Sequence, residues 1–129
     1  MEYIYSDTNG VETKKTDIEF IKKIIKKPYE NWLEGTGDSS IHINPTERIV
    51  FFKLKEGILL MYHPDYISPL IKKGVKPNIL IHYIGGEPME IPDICLCDED
   101  IAFKIITHFI ESKGELSKDY EWVDIFASI

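Results

Sequence analysis

Residues 37–63 read GDSSIHINPTERIVFFKLKEGILLMYH, and the reading of this stretch decides the fold. Residues 40–44 alternate Ile41 and Ile43 with His42 and Asn44, the period of a half-buried strand. Asn44-Pro45-Thr46-Glu47 is a turn, because Pro fixes φ and Asn bonds its own backbone. Residues 48–55 then carry Ile49, Val50, Phe51 and Phe52, the β-branched and aromatic types that suit a pleated surface. Lys55-Glu56-Gly57 turns the chain again, with Gly free to take positive φ. Residues 58–62, ILLMY, form a third apolar run. Short strands broken by turn residues predict an antiparallel meander. None of these residues forms a catalytic or ligand motif.

Upstream, residues 1–5 read as a short edge strand, and Asn9-Gly10 predicts a tight hairpin from Tyr3 to about Val11. Thr16 followed by Glu19 is a capping-box spacing. Ile18, Ile21, Ile24 and Ile25 make the apolar stripe of a helix, which Pro28 ends. Lys22, Lys23, Lys26 and Lys27 fit a solvated helix face better than a phosphate or membrane patch. Trp32 and Leu33 are expected over the open edge of the sheet. Gly35-Thr36-Gly37 is a turn and not a phosphate loop: no third Gly and no Lys-Ser/Thr follow, and it opens a strand.

Downstream, Leu70 and Ile71 suggest one helical turn, and residues 78–84, NILIHYI, read as a fourth strand of the block. Gly85-Gly86 is a hairpin turn. The return strand is residues 87–91, and Pro88 and Pro92 remove ladder donors, so it is expected at an edge or short. Residues 94–97 read as a short extended segment. Asp98 caps a second helix with Glu99 and Asp100 in its first turn. Ile101, Ala102, Ile105, Ile106, Phe109 and Ile110 form its broad apolar stripe, and Gly114 closes it. Residues 120–126, YEWVDIF, alternate as a last strand. The expected fold is α+β: a mainly antiparallel sheet of about six strands with two principal helices packed on one face, in a single domain spanning residues 1–129.

A chain of 129 residues with 43% hydrophobic and 29% charged residues has ordinary globular composition. Its apolar runs are too short for a bilayer span, and MEYIYSDTNG lacks a signal-peptide pattern, so the expected location is the cytoplasm. Cys95 and Cys97 are expected as reduced, semi-buried thiols, since no second pair completes a metal site. Net charge is −7. Residues 1–84 hold 12 Lys/Arg and 11 Asp/Glu, for +1; residues 85–129 hold 3 Lys and 11 Asp/Glu, for −8. That acidic last third disfavours nucleic acid and favours a basic protein partner.

His42, His63, His82 and His108 lack metal-ligand spacing, and no nucleophile is framed by a strand–turn–helix elbow. The chain is therefore read as a non-enzyme without cofactor or metal; a small enzyme with a pocket lined by His42, His82 and a carboxylate is the rival. The run Glu87, Glu90, Asp93, Asp98, Glu99, Asp100 contains no Lys or Arg. Helix capping accounts for half of it; a docking face accounts for the whole, with Tyr62, Tyr66, Tyr83, Tyr120 and Trp122 as candidate aromatic anchors. The spacing does not match a calcium loop.

From Trp32 onward, GTGDSSIHIN, IVFFKLKEGILLMYH, NILIHYIGGEPMEIP and DEDIAFKIITHFIESKGELSKDYEWVDI follow one another in a recognisable order. In this arrangement, a Gly-rich opening, a sheet, then a late helix followed by Gly and Trp, the chain resembles the first of the numbered Imm families of bacterial immunity proteins. The resemblance implies a small cytosolic protein encoded beside a polymorphic toxin, as in contact-dependent growth inhibition. It would bind the toxin's C-terminal domain, often a basic nuclease or nucleic-acid deaminase, and block its active site. Trp122 takes a structural role by the same resemblance. The toxin-binding residues expected on this reading are Glu87, Glu90, Asp93, Glu99 and Asp100, with Tyr83 as anchor. No nucleic acid, membrane or cofactor is expected as a ligand, and the chain is read as a monomer or weak homodimer. The alternative is a general intracellular adaptor of the SMI/KNR-like kind.

Overall fold

The computed structural model describes residues 2–84 and 86–126. Nine strands and two helices follow in the order β1 (Tyr3–Ser6), β2 (Glu12–Lys15), α1 (Glu19–Ile25), β3 (Ser39–His42), β4 (Arg48–Lys53), β5 (Ile58–His63), β6 (Ile67–Pro69), β7 (Ile79–Ile84), β8 (Glu87–Pro92), α2 (Glu99–Glu111) and β9 (Trp122–Asp124). A 3-10 turn at Tyr29–Leu33 links α1 to β3. The main sheet has seven strands in the order β2-β1-β3-β4-β5-β6-β9, and every pairing is antiparallel. The fold is α+β, as the sequence predicts, with one strand more in this sheet than expected.

The predicted meander is β3, β4 and β5, and it forms the centre. Directly paired residues share a face, so the register runs one row of side chains across the sheet: Tyr5, Ile41, Ile49, Tyr62. A second row on the same face holds Ser39, Phe51 and Leu60. The helices cover this face. Phe20 of α1 meets the Tyr5 ring at 5.2 Å, and Phe109 of α2 meets the Tyr62 ring at 6.4 Å, both edge-on. The Trp32 ring lies 5.5 Å from Phe51 and is buried, whereas Leu33 stays exposed.

Phe52, Leu59, Val50 and Met61 point the other way and are equally buried. A strand buried on both faces needs a second cover. Here it comes from β7 and β8, which form a separate two-stranded sheet. This corrects the expectation that residues 78–84 form a fourth strand of the meander block. Their apolar side chains serve a third layer, so the run looks like a central strand without pairing with one.

Three further expectations change. Helix α1 starts at Glu19 after Ile18, whose side chain makes no cap bond, and the side chain that reaches its first turn is Asp17 and not Thr16: Asp17 Oδ1 accepts the Phe20 N–H at 2.7 Å. Leu70 and Ile71 form no helical turn: their N–H groups donate to the Glu121 carbonyl at 2.7 Å and the Ile94 carbonyl at 2.9 Å, and the residues before them, Ile67–Pro69, are a strand paired with Asp124, Val123 and Trp122. Asp93–Cys95 is a 3-10 turn, and only Cys97 beyond it bridges to Ile58. The other two ends of the reading hold. β9 returns to the sheet, and Asp98 caps α2 by accepting the Ile101 N–H at 2.8 Å. Gly114 N–H bonds the Phe109 carbonyl at 2.8 Å and closes the helix.

Candidate binding face

The β7–β8 hairpin is braced on one side and open on the other. Its base is held by Asp93 and Asn78. The Asn78 N–H donates to Asp93 Oδ1 at 2.9 Å, the Asn78 side-chain amide donates to Oδ2 at 3.4 Å, and the Asp93 N–H returns a bond to the Asn78 carbonyl at 2.9 Å. The backbone N–H of Asn78, chiefly, holds the Asp93 carboxyl below its usual range. On the inner side His82 is 4% exposed and lies flat on Phe52, with ring centroids 4.9 Å apart and planes 6° from parallel. Burial lowers the His82 pKa, against an opposing pull from Glu56. Among the described residues its Nε2 has no hydrogen-bond partner. Ile91 is fully buried beside it.

Alternation along β7 then sends Ile79, Ile81 and Tyr83 outward. They are 55%, 60% and 61% exposed. Their cross-strand partners are Pro92, Glu90 and Pro88; Pro92 is buried, so the exposed part of this face carries Ile79, Ile81, Tyr83, Pro88 and Glu90. Adjacent apolar side chains on a ribbon with no covering element mark an interaction surface.

Of the six residues expected from the sequence, Tyr83 and Glu90 stand on this face. Glu87 opens β8 at the hairpin tip, opposite Ile84. Asp93 is engaged in closing the hairpin base. Glu99 pairs with Lys53 at 3.0 Å, and the same ammonium donates to the Lys27 carbonyl at 3.0 Å. Asp100 borders a small cleft with Lys22 and Lys26. Folding thus brings lysines from distant segments beside the helix end of the acidic run. Asp93 and Glu99 also border a groove of about 630 Å³ whose walls include Lys53, Lys55, Lys72, Glu56 and Tyr29. Its lining is of mixed sign.

Ile79 and Ile81 are the surface residues that sequence reasoning missed. Within NILIHYI they look like core. The signal that separates them is on the next strand, where prolines at positions 88 and 92 fall opposite Tyr83 and Ile79.

The histidines do not converge. His42 is on β3 of the main sheet and His82 on the hairpin. Burial lowers the pKa of His42 and His63, and Arg48 adds to both shifts. Cys95 and Cys97 are buried free thiols, pushed up by burial to about 11 and about 12. Among the described residues no group of three His, Cys, Asp or Glu is placed to hold a metal ion, and no helix is long and apolar enough to cross a membrane. The chain matches no protein-family model, and no curated protein matches it.

Proposed function

We propose that the chain is an immunity protein: it binds a basic toxin domain, a nuclease or nucleic-acid deaminase, in the cytoplasm and covers that domain's active site. The observation that carries this reading is the outer hairpin face. Ile79, Ile81 and Tyr83 are aligned and solvent-exposed on a ribbon whose inner side is fixed to the core. Residues 78–103 contain no Lys or Arg and six Asp or Glu, so an apolar patch sits in an acidic segment. That combination suits a partner that is basic around an apolar contact. The motif order by which the chain resembles the Imm family motivates it. Glu90 and Tyr83 remain contact residues in this reading, with Glu87 at the rim; Asp93 and Glu99 support the fold beside them.

The test starts from the neighbouring reading frame, expected to end in a toxin domain, and co-expresses that domain with this chain. The wild-type chain is expected to restore growth and to bind in a one-to-one complex. Ile81→Asp with Tyr83→Ala is expected to weaken binding at least a hundredfold, and Glu90→Lys to slow association and reduce its salt dependence. Full protection by the face variants would remove this surface, and absence of any protection would sink the immunity reading. Binding to several unrelated cytosolic proteins with similar affinity would favour the adaptor class instead.

A further inference from the structure

A sheet edge is open to another strand unless something blocks it. The two sheets here have four edges. β2 is guarded by charge: its residues are Glu12, Thr13, Lys14 and Lys15, and Lys14 pairs with Glu2. β9 is guarded by shortness, with three residues. β8 and β7 are the edges of the hairpin.

The register distinguishes these last two. The Asp93 N–H donates to the Asn78 carbonyl at 2.9 Å, which makes Asn78 and Asp93, next to the Ile79–Pro92 pair, a hydrogen-bonded pair. Bonded and non-bonded pairs then alternate. Tyr83–Pro88, Ile81–Glu90 and Ile79–Pro92 are therefore the non-bonded pairs, whose backbone groups point away from the partner strand. The prolines agree independently, since neither could donate to a bonded pair. On the outer edge of β8 two of three outward positions thus lack an N–H, and Glu90 alone keeps one. On β7 all three outward positions keep both groups. Among the described residues, the backbone groups of Ile79, Ile81 and Tyr83 make no hydrogen bond outside the hairpin. Gly37 packs near the Tyr83 carbonyl, where a Cβ would stand 3.4 Å from it, so the free stretch centres on Ile79 and Ile81.

We propose that the partner binds by strand addition: an extended segment of it pairs with the outer edge of β7. The hairpin becomes a three-stranded sheet, and the partner's apolar side chains lie beside Ile79, Ile81 and Tyr83. On that same outer face the partner also carries Lys or Arg, matched to Glu90. The prolines of β8 leave β7 as the receiving edge, which fixes the side of docking. This rests on the proposed function for the partner's identity, but the edge itself is testable without the toxin.

Displayed random dodecapeptides are selected against the full chain, and the leading peptide is synthesised. Its sequence is expected to carry apolar residues and Lys or Arg at positions two apart, which share one face. Ile81→Pro removes one outward N–H and no ladder bond, and is expected to weaken this peptide at least tenfold. Glu90→Pro makes the same change on β8 and is expected to shift affinity less than threefold. In the wild type, where no substitution can disturb folding, the peptide is expected to slow amide exchange at Ile79 and Ile81 and leave Glu90 unchanged. Failure to enrich such sequences, equal binding to Ile81→Pro while its Leu80 and His82 amides stay protected, or protection at Glu90 alone would each overturn strand addition. A peptide that protects Ile79 and Ile81, with no binding of the neighbouring toxin domain, would uphold the edge and refute the immunity reading. Toxin binding undiminished by Ile81→Pro would do the reverse.

Discussion

His82→Leu is expected to stabilise the chain and flatten its response to acid. His82 is 4% exposed, stacked on Phe52, near the Tyr29 ring at 6.5 Å, with Glu56 as the charge that acts on it. Among the described residues its buried Nε2 has no partner. An unsatisfied buried polar atom costs about 1–3 kcal/mol, so an apolar side chain of similar size is expected to recover about 1 kcal/mol at neutral pH. That corresponds to roughly 3–5 °C in Tm for a domain of this length. The acid response has a definite sign. Burial lowers the folded pKa below the usual histidine value of about 6.5, so the unfolded chain binds the proton first. Stability is full above pH 6.5 and falls as pH drops below it, by at most about 1.4 kcal/mol per pH unit for one group. His42 and His63 shift in the same direction, so the wild type is expected to fall more steeply than the variant, which loses one of three contributors. Urea unfolding at pH 7.5, 6.5, 5.5 and 5.0 measures both quantities. Parallel curves for wild type and His82→Leu would refute the assignment of His82 as a neutral buried contributor.

Asp98→Ala removes the α2 cap bond to Ile101 and is expected to cost about 1 kcal/mol in chemical denaturation. Gly35→Ala should be severe, because a Cβ there would overlap the Thr8 backbone at φ +58°; a loss above about 2 kcal/mol is expected. Gly74→Ala, at φ +70° with open space around it, should lose only about 1–2 kcal/mol from the left-handed backbone, and equal losses at both sites would contradict the close approach of Gly35 to Thr8. Cys95 and Cys97, with thiols near 11 and 12, should stay unmodified by a disulfide reagent at pH 8 in the native state and react once denaturant is added; rapid native labelling would show that they are accessible.

How much of this fold is legible in the sequence depends on the range of the interaction. Period-two alternation, turn residues and the Asp98 cap act within a few residues, and β3 to β5, the hairpin turns and α2 all follow from them. Layering does not. β4 is apolar at Ile49, Val50, Phe51 and Phe52 in succession, which announces burial on both faces but not what covers the second one. β7 carries a similar run for a different reason: Leu80, His82 and Ile84 face the core, while Ile79, Ile81 and Tyr83 face solvent. One hydropathy pattern therefore describes a central strand and a covering ribbon, and only pairing separates them. Ile67–Pro69 fails likewise, because three residues carry too little local preference to resist the sheet edge that claims them.

The candidate site shows the same division. The acidic bias after Gly86 is a property of the sequence, but charge acts through space. Lys53 on β4 neutralises Glu99, and Lys22 and Lys26 on α1 flank Asp100, so the helix end of the run is compensated by residues more than forty positions away. Glu90 lies on a ribbon where neither neighbouring position of β8 is basic, and its face is apolar. The face that remains acidic and apolar together is therefore the hairpin's, and Pro88 and Pro92 add a constraint that composition cannot express. They leave the strand's own pairing intact, since they occupy only outward-pointing positions, while making that edge a poor acceptor of another chain. Pro92 also serves the fold, being buried and leading into the 3-10 turn at Asp93–Cys95, so it is the exposed Pro88 that bears on the proposed docking side.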